Sequence, residues 1–145
     1  MELKIKRLTE TAVLPTRGTV GSAGYDLYAD IDADITINPR EIVKVKTGIA
    51  IALPSADFGA FIFARSGLAI KHGISPANCV GVVDSDYRGE IMVGLTNFSN
   101  EPYTITKGER IAQMIIMPVV TPSLLEVSSL DDTERGAGGF GSTGK

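Results

Sequence analysis

The sequence has no tryptophan, one cysteine and one histidine among its 145 residues. The lone Cys79 excludes an intramolecular disulfide and a cysteine-cluster metal site, and we expect it to be a packing residue rather than a nucleophile. The lone His72 has no second histidine with which to form a metal site, so we expect a structural or surface role. No apolar run approaches the length of about 18 residues that marks a membrane-spanning helix, and no basic leader with an apolar core begins the chain. These absences favour a cytoplasmic protein that does not enter a membrane.

The charge of the chain is small and slightly acidic. Hydrophobic residues make up 43% and charged residues 21%, the net charge is −3, and the pI is about 5.1. A chain of this size and composition forms one domain with one core. Its surface as a whole does not attract nucleic acid or anionic membranes, so we expect neither as a partner. A phosphate ester would have to bind through local arginines, backbone amides and a metal ion.

Helical periodicity is scarce, and short segments rich in Val and Ile alternate with Gly, Pro, Asn and Asp. This pattern predicts about ten strands in an all-β sandwich, jelly roll or barrel, with one short helical turn near Gly67–Lys71. The continuous apolar run Met114–Val120 indicates burial on both faces or a subunit contact. The predicted strands are Leu3–Lys6, Tyr25–Ala29, Asp34–Ile37, Glu41–Leu53, Gly59–Ala64, Asn78–Val83, Glu90–Asn97, Tyr103–Ile105, Arg110–Val120 and Leu124–Val127.

An acidic turn lies between two of these strands, in the segment Gly81–Ile91 (GVVDSDYRGEI), which we interpret as a hairpin. Asp, Ser and Gly are ordinary turn residues, but a tight turn does not need two carboxylates, a tyrosine and an arginine together. Asp84 follows an apolar pair and could hold a water molecule as a general base. Tyr87 could stack on a sugar or a base and control access to it.

Three further clusters carry polar groups within or directly after predicted strands. Arg65, Ser66 and Gly67 follow an apolar strand and place a guanidinium, a hydroxyl and free amides at one point, which suits phosphate oxygens, although Ser66 could equally be a helix N-cap. Gln113 is the neutral polar side chain in an otherwise apolar stretch, so it needs a partner when buried. Asp26, between residues of strand character, could contact a hydrated cation or a neighbouring backbone.

The last segment, Arg135–Lys145 (RGAGGFGSTGK), has five glycines, one arginine and one phenylalanine. It is too poor in apolar bulk to order itself, so we expect a mobile arm that begins near Asp131. Its backbone amides, the Arg135 fork and the Phe140 ring suit closure over a phosphorylated ligand with a planar ring. The alternative is a frayed tail without function, since chain ends are often disordered.

Five segments in order, AGYDLYA, RSGLAIKHGI, GVVDSDYRGEI, GERIAQMII and RGAGGFGSTG, resemble the five motifs of the homotrimeric dUTP pyrophosphatase (dUTPase) family. The resemblance spans Ala23–Gly144. It implies a jelly-roll-like β-clip fold, with a β core over residues 1–130 and a mobile arm over residues 131–145. It also implies a homotrimer in which the arm of one chain closes over a site at the subunit interface.

The resemblance implies a role for each matching residue. Asp84 would orient and activate the attacking water, and Tyr87 would lie under the deoxyribose and leave no room for a 2′-hydroxyl. Asn78 and the backbone around Met92 would read uracil, and Asp26 would meet the metal through water. The remaining substrate contacts would be Arg65, Ser66, Gly67 and Gln113 in the body and Arg135, Gly141, Ser142 and Thr143 in the arm, with Phe140 as a lid over uracil.

The implied reaction is Mg²⁺-dependent hydrolysis of dUTP to dUMP and pyrophosphate, which keeps uracil out of DNA and supplies dUMP for thymidylate synthesis. The related dCTP deaminases are an alternative, but they need a glutamate in the pocket, and the sequence offers no acidic residue in a matching position. A β trimer that only binds nucleotides is the alternative from another class, against which a water-polarising carboxylate at Asp84 argues.

Overall fold

A computed structural model of the protein describes residues 2–140. Strands dominate, as the sequence predicts, and the helical turn expected near Gly67–Lys71 is present. The elements in chain order are β1 (Lys4–Arg7), β2 (Tyr25–Tyr28), β3 (Ile35–Ile37), β4 (Ile42–Lys46), β5 (Ile49–Ala52), β6 (Phe58–Phe63), α1 (Ser66–His72), β7 (Ile74–Pro76), β8 (Gly81–Val83), β9 (Met92–Asn97), β10 (Tyr103–Ile105) and β11 (Arg110–Pro118).

The strands form four small antiparallel sheets around one core. The largest sheet has the order β2-β11-β6-β8, and a second has the order β4-β9-β7. Two strand pairs, β1-β5 and β10-β3, complete the architecture. Strands that are distant in the sequence are therefore neighbours, as expected of an all-β jelly-roll-like protein. No helix among residues 2–140 is long and apolar enough to cross a membrane.

The core is built from alternating side chains of these sheets. The sequence alternates Ile91, Val93 and Leu95 with Met92, Gly94 and Thr96, which predicts a half-buried strand. The first three are buried and Met92 is exposed, but Thr96 is buried too, so the alternation is confirmed only for the first part of the strand. Asn97 is fully buried, and its side chain donates to the carbonyl oxygens of Ile37 and Glu101 and accepts from the Ser99 amide. A buried amide with its bonding groups satisfied fixes how β9 meets β3.

Strand limits account for most differences from the sequence prediction. The predicted strand Glu41–Leu53 is two strands, because the chain turns at Thr47–Gly48. The short β7 was not predicted. The strand predicted at Leu124–Val127 is wrong: residues 119–140 contain no strand, and Leu124 is 97% exposed, so no burial of the kind that stabilises a strand is gained there.

The apolar run at Met114–Val120 lies mainly in β11, which pairs with both β2 and β6. Met114 is fully buried, but Ile115, Ile116 and Met117 are only half-buried in the single chain. Burial on both faces therefore holds at Met114 and not along the run. A subunit contact over the rest of the run stays a prediction.

The hairpin interpretation of Gly81–Ile91 is wrong. β8 pairs with β6, whereas β9 pairs with β4 and β7, and no ladder within residues 2–140 joins β8 to β9. Residues 84–91 therefore cross from one sheet to another. The strand–turn–strand pattern predicted pairing because consecutive strands are usually neighbours, but here each strand finds its partner elsewhere.

The turn at Thr47–Gly48 ties several segments together. Gly48 has a φ of 65°, and a Cβ there would lie 2.7 Å from the Ala12 Cβ and would collide with the Asp30 carboxylate. The Gly48 carbonyl accepts from the Leu8 amide, and the Thr47 hydroxyl donates to the Ile91 carbonyl at 2.5 Å. A glycine is required here by both conformation and space.

Asp30 is 8% exposed, and its carboxylate accepts hydrogen bonds from the hydroxyls of Thr9 and Thr11. Burial by itself raises the pKa of the Asp30 carboxyl. The hydrogen bonds from Thr11 and Thr9 and the charges of Lys107 and Lys46 outweigh it, and the pKa is lowered below the ordinary 3.8. The charged form is thus favoured by folding, so this group stabilises the protein above its unfolded pKa and the stabilisation is lost as the pH falls.

Thr11→Val removes the hydroxyl that donates to Asp30 at 2.6 Å while keeping the shape of the side chain. We expect the free energy of unfolding at neutral pH to fall by about 1–3 kcal/mol, the usual worth of a hydrogen bond to a charged group. The loss should shrink once the pH drops below 3.8, because the protonated carboxyl no longer depends on the hydroxyl. Urea unfolding followed by circular dichroism at both pH values measures this difference.

Thr36→Val is the matched control, because the Thr36 hydroxyl is exposed and bonds to Thr104 rather than to an acid. Its effect should not change with pH. Equal destabilisation by Thr11→Val at neutral and acidic pH would contradict the role assigned to Asp30.

Candidate active site

A narrow slot lies between β8 and β9, where the two strands do not pair. It has a volume of about 120 Å³ and is lined by Asn78, Gly81, Val82, Met92 and Gly94, among others. Cavities of about 150 Å³ hold a benzene ring, so the slot is of the size of one small ring. β8 is the edge strand of its sheet, and β7 pairs with β9 only at residues 95–97. Beside the slot, the ladders therefore leave backbone groups of β8 and of residues 92–93 without a strand partner, and these groups can bond a ligand that enters between the strands.

A wider cavity of about 380 Å³ adjoins the slot and shares Val82, Met92 and Gly94 with it. Asp84 and Tyr87 line this wider cavity, so the structure brings these two predicted residues together with the ring-sized slot. Asp84 comes directly after β8 and is exposed, which leaves its carboxylate accessible to water. A carboxylate beside a slot for a planar ring is suited to activating a water molecule near the ligand.

The ring of Tyr87 is folded back over its own loop. Its hydroxyl donates to the Glu90 carbonyl at 3.0 Å, and a Cβ at Gly89 would lie 2.6 Å from the Tyr87 Cζ. The side chain remains 43% exposed, and its amide donates to the Asp84 carbonyl at 3.2 Å. The same turn therefore fixes the spacing between the carboxylate and the aromatic ring.

Three residues near Asp84 were missed by the sequence analysis. Glu90 and Lys44 line the cavity with Asp84, and Gly89 carries the Tyr87 ring. Lys44 is brought in by the pairing of β4 with β9, a long-range contact that no local pattern signals. Glu90 and Gly89 lie in the same sequence motif as Tyr87, and this closeness in sequence was the signal that could have identified them as site residues.

A second cluster of charge lies at the start of α1. The Asp26 carboxylate forms two ion pairs, with the Arg65 Nε at 2.8 Å and with an Arg110 terminal nitrogen at 3.1 Å. The Arg65 guanidinium also donates to the Arg110 carbonyl. Asp26 therefore fixes the orientation of Arg65. Arg65 is the N-cap residue of α1 and Ser66 the first helical residue, so the N-cap alternative for Ser66 is wrong.

Gln113 is half-buried and has the hydrogen-bond partner that the sequence predicted. Its side-chain amide donates to the Ala64 carbonyl at 2.9 Å, and its oxygen lies where a Cβ at Gly24 would collide. This bond ties β11 to the chain just before Arg65. Ser66 and Gly67 are exposed beside it, and nothing lies within 4 Å of the Cβ position at Gly67, so the start of α1 is open to a ligand.

A separate cleft of about 520 Å³ lies beside α1, with Arg65, Lys71 and Arg110 among its lining residues. The Tyr103 hydroxyl in its wall donates to Glu109 at 2.6 Å. Burial, followed by this hydrogen bond and the charge of Glu109, raises the pKa of Tyr103 to about 12, so the phenol stays neutral. The cations of the cleft then outnumber its one carboxylate, Glu109.

The two clusters do not meet in one chain. The cavities around Asp84 and the cleft around Arg65 share no lining residue. In the arm, Arg135 donates to the Gly138 carbonyl at 2.8 Å, and Phe140 is fully exposed. The predicted contacts Gly141, Ser142 and Thr143 lie outside the described residues.

The remaining predictions concern single residues. Cys79 is exposed and has a φ of 63° in the turn after β7, so its assignment as a packing residue is wrong: the turn carries its side chain away from the core. His72 is exposed and lies against the Tyr103 ring with centroids 4.9 Å apart, which confirms a surface role. Within the part of the chain that the structure describes, no three His, Cys, Asp or Glu side chains form a metal cage.

Comparison with known sequences gives consistent relatives. The sequence profile of the dUTPase family matches residues 10–144. A deoxyuridine 5′-triphosphate nucleotidohydrolase of Desulfitobacterium hafniense is 55% identical over 131 residues, covering 90% of this chain and 87% of the relative. The human mitochondrial protein of the same name is 52% identical over 145 residues, covering all of this chain and 56% of the relative.

Among solved structures, the dUTPase of Staphylococcus bacteriophage 80alpha, as a G164S mutant with dUpNHpp, has a similar fold. Its TM-score is 0.89 at 27% identity, and the match covers 99% of each chain. The jelly-roll-like β fold expected from the motifs is thereby confirmed. With its slot between unpaired strands, its Asp84 and Tyr87 beside that slot, and these relatives across nearly its whole length, the chain belongs to the dUTPase family.

Proposed function

We propose that this protein hydrolyses dUTP to dUMP and pyrophosphate, which keeps uracil out of DNA and supplies dUMP for thymidylate synthesis. The observation that carries the proposal is the slot of about 120 Å³ that opens into the cavity of Asp84 and Tyr87. Family membership supports the same reaction. The nucleotide chemistry and the lone exposed cysteine fit a cytoplasmic enzyme.

Uracil is the base whose chemistry suits the slot. Its edge alternates acceptor, donor and acceptor, which complements the alternating N–H and C=O groups on the free edge of β8 and on residues 92–93 of β9, which β7 does not cover. Asn78, in the slot wall, adds a side-chain amide that can both donate and accept. Cytosine reverses part of this pattern, and an unpaired buried group costs about 1–3 kcal/mol. Thymine adds a methyl group that a narrow slot excludes.

Asp84 is the general base of the proposed reaction. Its carboxylate takes a proton from a water molecule as the water oxygen bonds to the α-phosphorus. The bond from the α-phosphorus to the bridging oxygen of the β-phosphate breaks, and pyrophosphate leaves with that oxygen. Tyr87, whose backbone amide is tied to Asp84, would hold the deoxyribose against its ring so that this geometry is repeated at each turnover.

The phosphate contacts would come from another chain. The predicted phosphate contacts lie together near the start of α1, away from the cavity of Asp84. They are Arg65, Ser66 and Gly67, with Gln113 of β11 bonded to the chain just before them. In a homotrimer, the start of α1 of one chain would face the Asp84 cavity of the next, and Arg65, oriented by Asp26, would balance charge on the leaving group. The half-buried apolar side chains of β11 support such an assembly.

Mg²⁺ is the metal that fits this donor set. Since the described residues form no three-residue cage, the triphosphate would supply most of its oxygen ligands, and Asp26 would hold its water shell through the lone pairs left by the two arginines. The ion would neutralise phosphate charge when bound.

The arm would close the site. Arg135 and the residues 141–143, Gly141, Ser142 and Thr143, would contact the phosphates, and the exposed Phe140 ring would cover uracil. Closure over the site of another chain would exclude bulk water from the reaction.

A deaminase is the competing reaction in the same cavity, because the structure places a second carboxylate, Glu90, beside Asp84. The Glu90 carboxylate, however, accepts the Gly48 amide at 2.8 Å, which ties it to the protein rather than to a ligand. Hydrolysis at phosphorus therefore fits the cavity better than deamination at the ring.

The substrate panel tests the reaction directly. We expect Mg²⁺-dependent pyrophosphate release from dUTP and at most trace release from dTTP, dCTP and UTP at equal concentrations. Release of ammonia from dCTP would instead assign the deaminase reaction. Binding of dUTP without any release would make the protein a nucleotide-binding module.

Asp84→Asn keeps the size of the side chain and removes the base. We expect kcat to fall by about 10²–10⁴-fold, the usual contribution of a general base, while dUTP binding measured by calorimetry is kept. Asp86→Asn changes the neighbouring carboxylate of the same turn and is the control. Turnover of Asp84→Asn within a few-fold of the wild type would refute the assigned role.

Mixing two defective chains tests whether the site is shared. The first variant is Asp84→Asn with an intact arm, and the second keeps Asp84 but ends at Glu134. Neither should turn over dUTP alone. Refolded together, they should regain activity, because the arm of the first closes over the Asp84 cavity of the second.

The readout is pyrophosphate release from the refolded mixture against each variant refolded alone. If the arm served its own chain, the mixture would show no more activity than the sum of its parts. Size-exclusion chromatography with light scattering gives the oligomeric state of each sample.

A further inference from the structure

The position of the Tyr87 ring depends on two residues that follow it in the chain. Its hydroxyl is fixed by the Glu90 carbonyl at 3.0 Å. Its ring lies so close to Gly89 that a Cβ there would be 2.6 Å from Cζ and 3.0 Å from a ring carbon. The hydroxyl end of the ring thus lies against Gly89 while the side chain lines the cavity, so any side chain at position 89 would displace the ring.

The Glu90 carbonyl is itself held by the body of the protein. The Glu90 side chain accepts the Gly48 amide at 2.8 Å, and the next residue, Ile91, donates to the Ile49 carbonyl at 2.9 Å. The Thr47 hydroxyl bonds to the Ile91 carbonyl. Three consecutive residues of the β4–β5 turn therefore anchor the end of the loop that carries Tyr87.

The rest of that loop is bonded to itself. The Arg88 guanidinium donates to the carbonyls of Ser85 and Tyr87, and the Tyr87 amide donates to Asp84. Among the hydrogen bonds of the described residues, the bond from Gly48 to Glu90 is the one that joins residues 84–90 to the rest of the protein. The position of the Tyr87 ring relative to the cavity is thus set through Glu90.

We propose that Glu90 and Gly89 are positioning residues for Tyr87, and that they set how strongly the enzyme discriminates dUTP from UTP. The proposal rests on the proposed function and names the residues behind its sugar selectivity. A 2′-hydroxyl is excluded only while the ring is held close to the sugar. Loosening the ring admits the hydroxyl and costs the deoxy substrate its contact.

The test compares kcat/KM for dUTP and UTP in four variants of the full chain. Glu90→Ala removes the acceptor for Gly48, and Glu90→Gln keeps an oxygen that can accept it. Gly89→Ala displaces the ring by direct contact with the Tyr87 hydroxyl and leaves the bond from Gly48 to Glu90 in place. Asp86→Ala removes a charge from the same loop and is the matched control.

We expect the dUTP/UTP ratio to fall by about tenfold in Glu90→Ala, the equivalent of one lost hydrogen bond. Gly89→Ala should lower it similarly, mainly through a higher KM for dUTP. Glu90→Gln and Asp86→Ala should keep the wild-type ratio. Tyr87→Ala gives the ratio reached when the ring is absent and sets the scale.

A merely structural role would lower activity on both substrates equally and leave the ratio unchanged. That result in both Glu90→Ala and Gly89→Ala, with folding verified by circular dichroism, would overturn the inference. The proposed function would survive it, because the wild type would still release pyrophosphate from dUTP in preference to UTP. A folded wild type that hydrolyses neither nucleotide would instead remove the proposed function and this inference together.

Discussion

The contact of the Gly48 amide with the Glu90 carboxylate is the constraint on which the active-site loop depends. It is available because Gly48, in a left-handed turn, brings its backbone where no other residue fits, between Ala12 and the Asp30 carboxylate. Asp30 in turn is held by Thr9 and Thr11, just after β1. The first strand, a buried carboxylate and the loop of Asp84 are therefore joined through one turn. A change that loosens this turn would therefore lower the stability of the protein and also loosen the loop that holds Tyr87.

The second organising feature is a pairing that the fold does not make. β8 and β9 follow each other in the chain, yet they belong to different sheets and do not pair with each other. An ordinary hairpin would have satisfied the facing backbone groups internally and left no slot. The crossing of residues 84–91 leaves the free edge of β8 and the part of β9 not covered by β7 on either side of the slot, and places Asp84 beside them. Recognition of a base by backbone depends little on side-chain identity, so in the proposed site this function would depend on the path of the chain.

Local patterns predicted much of this protein, and long-range pairing explains what they missed. The Val- and Ile-rich segments predicted most of the strands, and the alternation identified Val93 and Leu95 as buried residues of β9. The spacing of Asp84 and Tyr87 gave the two residues that the structure places together. The sequence could not show that Gly81–Ile91 is no hairpin, because the partners of β8 and β9 lie far away in the chain. Lys44 was missed for the same reason.

Two predictions failed because residues of apolar character, expected to be buried, lie at the surface of the single chain. Cys79 and Leu124 have apolar character, but a turn and an extended terminal segment leave them exposed.

The absence of tryptophan has a consequence for the optical properties of the protein. The near-ultraviolet emission of this protein comes mainly from four tyrosines, and Tyr87 is the one that lines the cavity of Asp84, where it is 43% exposed. The molecule therefore carries a native optical reporter at the place where a ligand ring would stack, and occupancy of the cavity can be followed without attaching a dye.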